Sequence, residues 1–220
     1  MILDAISTEN PFADPHLSWC EAGFVVADVQ RLVQDGPLGP VTVDLPEDLR
    51  SAVPKRRSEF LAGRACAGMA LRQAGLTETV LRQGRAPVWP AGVAGSITHS
   101  RDRAIAAVST RYNALGLDCE ALVAPDRALQ LAAAIFSETE ARLRPEALPF
   151  AGFFTLVFSA KEALYKALSH RLGRVPDFRE VTVTALQPGH MALVLDGETH
   201  RARFRLSDRD CVTLVTVQGL

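Results

Sequence analysis

Asp118 and Glu120 stand two apart in GLDCE, and Lys161, Glu162 and Lys166 fall together in FSAKEALYK. On a strand, a spacing of two points both carboxylates to one face. With apolar Leu115, Leu117 and Leu122 beside them, two acids aimed one way either wet an exposed face or hold a cation. Glu162 and Lys166 are four apart on a helical stretch, the spacing of a surface ion pair worth about 0.3–0.5 kcal/mol. The flanks FFTLVF and ALYKAL make that helix apolar around most of its circumference, so it is expected to be well buried. A buried Lys–Glu group needs a ligand or a counter-charge. Three carboxylates (Asp118, Glu120, Glu162) and two lysines are what a magnesium–diphosphate site would require. Mg2+ takes oxygen ligands, keeps some waters, and is usually held by one or two protein carboxylates plus substrate phosphates. Ammonium groups neutralise phosphate oxygens as point charges. The matching chemistry is phosphoryl transfer, which follows mainly from positioning and charge stabilisation.

A second group is basic. VAGSITHSRD places His99 at the end of a strand-like stretch after a small-residue turn, with hydroxyls on Ser96, Thr98 and Ser100. Such a histidine is either a packed or solvent-facing residue or, beside a diphosphate, a donor to a phosphate oxygen. Lys55, Arg56 and Arg57 precede an expected helix start at Ser58, and Arg64 lies further in. Helix N-termini carry free N–H groups and a positive dipole end, so arginines there make a phosphate site, which Arg82 and Arg85 would join. The other reading is a solvated basic turn. Lysine is used only at positions 55, 161 and 166, which suggests that the pair in KEALYK needs a compact ammonium rather than a guanidinium.

The elements that must position these groups are legible in outline. FVVADV (24–29) and VTVDL (41–45) read as strands. Apolar residues recur at helical spacing from Ser58 to Ala74, with Gly75 as C-cap. SITH and AIAAVST are strand-like. After RYN the pattern starts afresh, with a strand through ALGLDCEAL, a helical region from about 126 to 143, and a long helix from about 150 to 172 stopped by Gly173. VTVTAL, MALVL, ARFRL and VTLVTV are four closing strands. The fold class expected is α+β, with two halves of similar build, residues 1–111 and 112–220.

Composition narrows the classes. The chain has 220 residues, 48% of them hydrophobic, and a net charge of −1. That charge argues against a general nucleic-acid binder. Cys20, Cys66, Cys119 and Cys211 form no CxxC pair, so neither zinc nor a disulfide framework is expected and a cytoplasmic setting fits. No basic segment followed by a long apolar run opens the chain, and no stretch reaches a membrane span, so neither secretion nor membrane insertion is expected.

Taken in order, GSITHS, GLDCE and FSAKEALYKA, with KRRSEFLAGR and PVWP upstream, closely resemble the 4'-phosphopantetheinyl transferases, and most of all the two-halved members of the enterobactin-synthase type. The resemblance implies a pseudo-dimer of two similar α+β halves with the active site between them. It implies transfer of the phosphopantetheine arm of coenzyme A to a serine of an apo acyl, peptidyl or aryl carrier protein, leaving adenosine 3',5'-bisphosphate, in siderophore, nonribosomal peptide or polyketide synthesis. Asp118, Glu120 and Glu162 would hold Mg2+, and Glu162 would alternatively act on the serine proton. Lys161 and Lys166 would bind phosphate, and His99 would contact the diphosphate or the 3'-phosphate. Arg56 and Arg64, helped by Arg82 or Arg85, would grip the 3'-phosphate. The Gly-Ser of GSITHS would let the chain approach coenzyme A. Phe158 stands where the third motif often has tryptophan. Glu140 matches a position that some members use as an acid or base, and Ser137-x-x-Glu140 is also a capping box. A monomer is expected. The competing readings are a coenzyme A- or carrier-binding protein without turnover, against which the intact carboxylate–lysine set argues, and a nucleotide phosphohydrolase.

Overall fold

A computed structural model describes residues 3–174 and 176–218. The chain divides into two compact units, Met1–Asn113 and Ala114–Leu220. The first contains β1 (Leu3–Ser7), β2 (Ser18–Phe24), β3 (Arg31–Gly36), β4 (Gly39–Asp44), α1 (Pro54–Gln73), β5 (Leu81–Gln83), β6 (Ala86–Val88), β7 (Ala94–Ser100) and β8 (Arg103–Ser109). Its main sheet is antiparallel in the order β1-β2-β8-β7, with β3-β4 and β5-β6 as separate hairpins. Alternate residues Cys20, Ala22 and Phe24 of β2 and Ala104, Ala106 and Val108 of β8 form one core with Leu61, Ala65 and Met69 of α1. Small side chains on both faces let helix and sheet approach closely.

Helix α1 starts four residues before the expected Ser58. Pro54 sits in its first turn, where its missing N–H costs nothing and its fixed φ suits the helix. Lys55, Arg56 and Arg57 therefore lie inside the first turn rather than ahead of it. The helix stops at Gly75 as expected, with φ at 77° and Leu76 N–H donating to Leu71 O at 2.9 Å, a Schellman closure. The strand expected over 24–29 ends at Phe24. Val25 and Val26 are exposed, and the backbone of Ala27 bonds to the Ser58 hydroxyl, which both accepts from its N–H at 3.1 Å and donates to its carbonyl at 3.2 Å. A side chain thus satisfies the groups that a neighbouring strand would have taken.

The second unit contains β9 (Ala114–Ala121), α2 (Pro125–Ile135), α3 (Glu138–Ala141), α4 (Phe150–Leu172), β10 (Thr182–Gln187), β11 (His190–Leu195), β12 (Glu198–Leu206) and β13 (Asp210–Val217). Its antiparallel sheet runs β10-β11-β12-β13-β9. The helical region expected over 126–143 is two pieces. Phe136 is extended at φ −147° and turns its ring into Phe150, Phe153 and Phe154, and the Ser137–Glu140 capping box restarts the helix as α3. Helix α4 ends at Gly173 in the left-handed conformation, as its sequence indicates.

The approach of α4 to β9 is set by one residue. A side chain on Gly116 would place Cβ 1.8 Å from Ala163 O and 2.5 Å from Ala167 N, both backbone atoms of α4 that cannot step aside. Gly116→Ala should therefore lower stability by about 3 kcal/mol or more, at the upper end of overpacking costs. Urea unfolding would measure it, and a loss below roughly 1 kcal/mol would mean the contact relaxes cheaply.

Candidate active site

The carboxylate group is built on β9 and α4. Alternation puts Gly116, Asp118 and Glu120 on the face of β9 that meets α4. Asp118 is buried. Its Oδ1 accepts from Lys166 Nζ at 2.6 Å and its Oδ2 from Ser159 Oγ at 2.8 Å. Lys166 also donates to Leu117 O at 3.1 Å. Burial, with the nearby Asp118 charge, raises Glu120 from 4.5 to about 7, against the pull of Lys166. Burial likewise raises Glu162, again opposed by Lys166 and aided by Asp118. Asp118, Glu120 and Glu162 thus sense one another and share the Lys166 ammonium, which leaves the group with surplus negative charge.

Among the described residues no three acidic, His or Cys side chains converge tightly enough to form a closed metal cage. The donor set nonetheless fits Mg2+, which needs only one or two carboxylates when substrate phosphates complete its shell. All donors are hard oxygens, and the burial and like-charge repulsion that together raise Glu120 disfavour a charge that a bound dication would compensate. A pH dependence follows. The unfolded chain holds Glu120 near 4.5 and the folded chain near 7, so between those values the folded state binds more protons and its stability falls as pH rises. Added Mg2+ should return that stability above pH 7 and do little at pH 5, and its apparent affinity should drop about tenfold per unit below 7. Thermal melts with and without Mg2+ at the two pH values check this. Equal stabilisation at both would remove Glu120 from the metal's shell.

Lys161 does not join this group. Five residues along a helix is about 140° of rotation, so Lys161 and Lys166 cannot share a face. Lys161 is fully buried and donates to Glu140 Oε1 at 2.8 Å, Ile135 O at 2.7 Å and Phe178 O at 3.0 Å. An ammonium has three protons, and all three are engaged. The expectation that Lys161 binds phosphate is corrected: it joins α4 to the segments around α2 and α3. Glu140 completes the arrangement by accepting from Val183 N at 2.9 Å and from Ser137 N at 2.8 Å. The capping role and the Lys161 pairing account for this buried carboxylate, which leaves no reason to cast it as an acid or base.

In the first unit, Glu59 gathers the basic residues. Its carboxylate lies 4.0 Å from Lys55 Nζ, 3.8 Å from Arg56 Nη1 and 3.7 Å from His99 Nδ1, and Arg56 Nη1 is 3.4 Å from His99 Nε2. Sequence reading overlooked Glu59, although its spacing of three and four from Arg56 and Lys55 is the helical ion-pair signal. Arg57 turns the other way, to Asp28 at 2.9 Å. Ser96 and Thr98 are buried and, by alternation, face away from His99, whose side of β7 packs on α1 through Ile97.

Two of the arginines expected at phosphate already have protein partners. Arg82 is paired bidentately with Asp48 at 2.7 and 2.8 Å, and Arg64 Nη1 donates to Val80 O and Leu81 O at 2.9 and 2.8 Å. Both guanidiniums flank the Phe60 ring, at 5.3 Å for Arg64 and 5.9 Å for Arg82. They pin the β5-β6 hairpin to α1, so a phosphate would have to displace Asp48 from Arg82 and two carbonyls from Arg64. Arg85 is exposed beside the hairpin turn at Gly84. Gly95 has a packing reason too: a Cβ there would lie 2.5 Å from the Trp89 indole, so the missing side chain admits the tryptophan.

The motifs can now be set against known proteins. The pattern of the 4'-phosphopantetheinyl transferase N-terminal domain matches residues 45–109, and that of the 4'-phosphopantetheinyl transferase superfamily matches residues 114–215. Enterobactin synthase component D of Salmonella typhimurium is 38% identical over 179 residues, 76% of this chain and 75% of that protein. This chain belongs to the 4'-phosphopantetheinyl transferase superfamily. The Salmonella typhi component D is 40% identical over 67% of this chain and 62% of its own length. The 4'-phosphopantetheinyl transferase Svp of Streptomyces mobaraensis is 39% identical over 70% of this chain and 66% of its own. Phosphopantetheinyl transferases of the enterobactin synthase component D branch are thus the enzymes with which the chain groups. Its second matched segment holds the whole Asp118–Glu120–Glu162–Lys166 group. Among the described residues no helix is long and apolar enough to cross a membrane.

Proposed function

We propose that this transferase moves the 4'-phosphopantetheine arm of coenzyme A to a serine hydroxyl of an apo acyl, peptidyl or aryl carrier protein, with Mg2+ as cofactor and adenosine 3',5'-bisphosphate as the second product. The observation that carries the reading is the cluster in which Asp118, Glu120 and Glu162 share one lysine on a buried helix–strand junction. The serine oxygen bonds to the phosphorus of the pantetheine phosphate as the diphosphate P–O bond breaks, and the leaving phosphate departs with adenosine. Asp118, Glu120 and Glu162 would hold Mg2+, which supplies neutralisation of the diphosphate charge. Lys166 neutralises a phosphate oxygen. Alternatively to holding the metal, Glu162, raised by burial, would accept the serine proton. Arg56, Lys55 and His99, gathered by Glu59, supply cationic and N–H donors for phosphate. Siderophore synthesis is the pathway class that the component D relatives favour.

The test is intact-mass spectrometry of apo carrier proteins incubated with the enzyme, coenzyme A and Mg2+ beside an EDTA control. A gain of one phosphopantetheine group that requires metal is expected. No gain across fatty-acid, peptidyl and aryl carriers would overturn the proposal.

A further inference from the structure

Thr213 stands directly across from Asp118 in the β13–β9 ladder, and Ser159 reaches both from α4. Thr213 and Ser159 are fully buried. Ser159 Oγ lies 2.8 Å from Asp118 Oδ2 and 2.9 Å from Thr213 Oγ1. Proton inventory fixes the direction of this chain. A carboxylate can only accept, so the one hydroxyl proton of Ser159 goes to Asp118. Ser159 Oγ must then accept from Thr213, whose proton is shared with Ser159 O at 2.9 Å. The result is a directed relay, Thr213 to Ser159 to Asp118, on Oδ2, with the Lys166 ammonium on Oδ1.

The two sides of the carboxylate differ in kind. Lys166 is partly exposed, on the side of Asp118 from which a diphosphate would approach. The hydroxyl pair is neutral, sealed from solvent and has no substrate role. We propose that Thr213 and Ser159 are positioning residues for Asp118, fixing its plane so that the Oδ1 edge is offered to the cation even after Lys166 has moved to phosphate. This rests on the reading of Asp118 as a metal-holding carboxylate. Removing a group that orients a metal-holding side chain typically costs about 10–100-fold in metal affinity.

The test uses the whole chain with coenzyme A and Mn2+, free Mn2+ being counted by electron paramagnetic resonance, with no carrier present. Thr213→Val keeps the shape and removes the donor, and Thr213→Ser keeps the donor. Thr213→Val should weaken Mn2+ binding roughly 10–100-fold, with KM for coenzyme A in separate turnover assays at saturating metal moving by no more than about twofold, and Thr213→Ser should restore binding. Ser159→Ala should match Thr213→Val and stands in for it should that variant fail to fold. Unchanged Mn2+ binding in folded Thr213→Val or Ser159→Ala overturns the inference, as does a Thr213→Ser variant as impaired as Thr213→Val, which would mean packing. Failure of the unaltered chain to bind Mn2+ also overturns it. Failure to modify any carrier while Mn2+ still binds would sink the transferase proposal alone, and the titration would still decide the role of the hydroxyls.

Discussion

Asp118→Asn should cut carrier modification by at least roughly 10²–10³-fold, the loss typical of removing one electrostatic contributor to a charged transition state, while the fold persists. The isostere keeps both neighbours satisfied. Its amide oxygen can take the Lys166 proton now on Oδ1, and its NH2 can donate to Ser159 Oγ, with the hydroxyl relay reversed so that Ser159 donates onward. What disappears is one negative charge. Without it Glu120 loses a repulsive neighbour, and its pKa should fall back toward the ordinary value. A bound Mg2+ would lose a carboxylate that offsets its dehydration. Two readouts separate this from simple damage. The melting temperature in the absence of metal should stay within a few degrees, and the Mg2+ concentration needed for half-maximal activity should rise sharply. A variant that folds and transfers at the unaltered rate would remove Asp118 from the metal site.

The elements that carry chemistry were legible because their signals are local. The two-residue spacing in GLDCE and the long apolar helix ending at Gly173 each need only a window of sequence, and both lie where that window puts them. Errors arose where a long-range partner decides. Lys161 and Lys166 look equivalent in KEALYK, yet their helical phase parts them, and the buried lysine can be told from the half-exposed one only by knowing that Glu140, Ile135 O and Phe178 O converge on it. FVVADV has strand composition, but its backbone is claimed by Ser58, 31 residues away. The strands β1 and β3 are mostly exposed and so lack the buried alternation that marks a strand. Ser159 and Thr213 carried no signal, since a hydroxyl at a buried position is common and its partner is set by sheet register.

Lys161→Met poses the sharpest choice between the sequence expectation and the observed geometry. As a buried ion pair the Lys161–Glu140 unit is finely opposed: burial works against both charges, lowering the Lys161 pKa in spite of Glu140, while the Lys161 ammonium with the Val183 and Ser137 N–H groups outweighs burial to lower Glu140. Such a pair contributes little net stability, but removing one member leaves the other charged and unpaired, at a cost of about 3–5 kcal/mol. Here methionine would also strip the Ile135 and Phe178 carbonyls of their donor. The double variant Lys161→Met/Glu140→Gln should recover a large part of that loss, because the surviving amide carries no charge, and the coupling in the double-mutant cycle should exceed roughly 1 kcal/mol. The sign of the pH dependence follows from Glu140: its folded pKa lies below the unfolded value, so its stabilisation is present above that value and disappears as pH falls through the folded one. Denaturant curves on the three variants measure the energies, and KM for coenzyme A on the folded protein measures the alternative. A destabilised variant with unaltered KM is expected from a lysine that holds α4 in place and never meets a phosphate. A stable variant with KM raised about tenfold, some 1.4 kcal/mol of binding, would return Lys161 to the phosphate site.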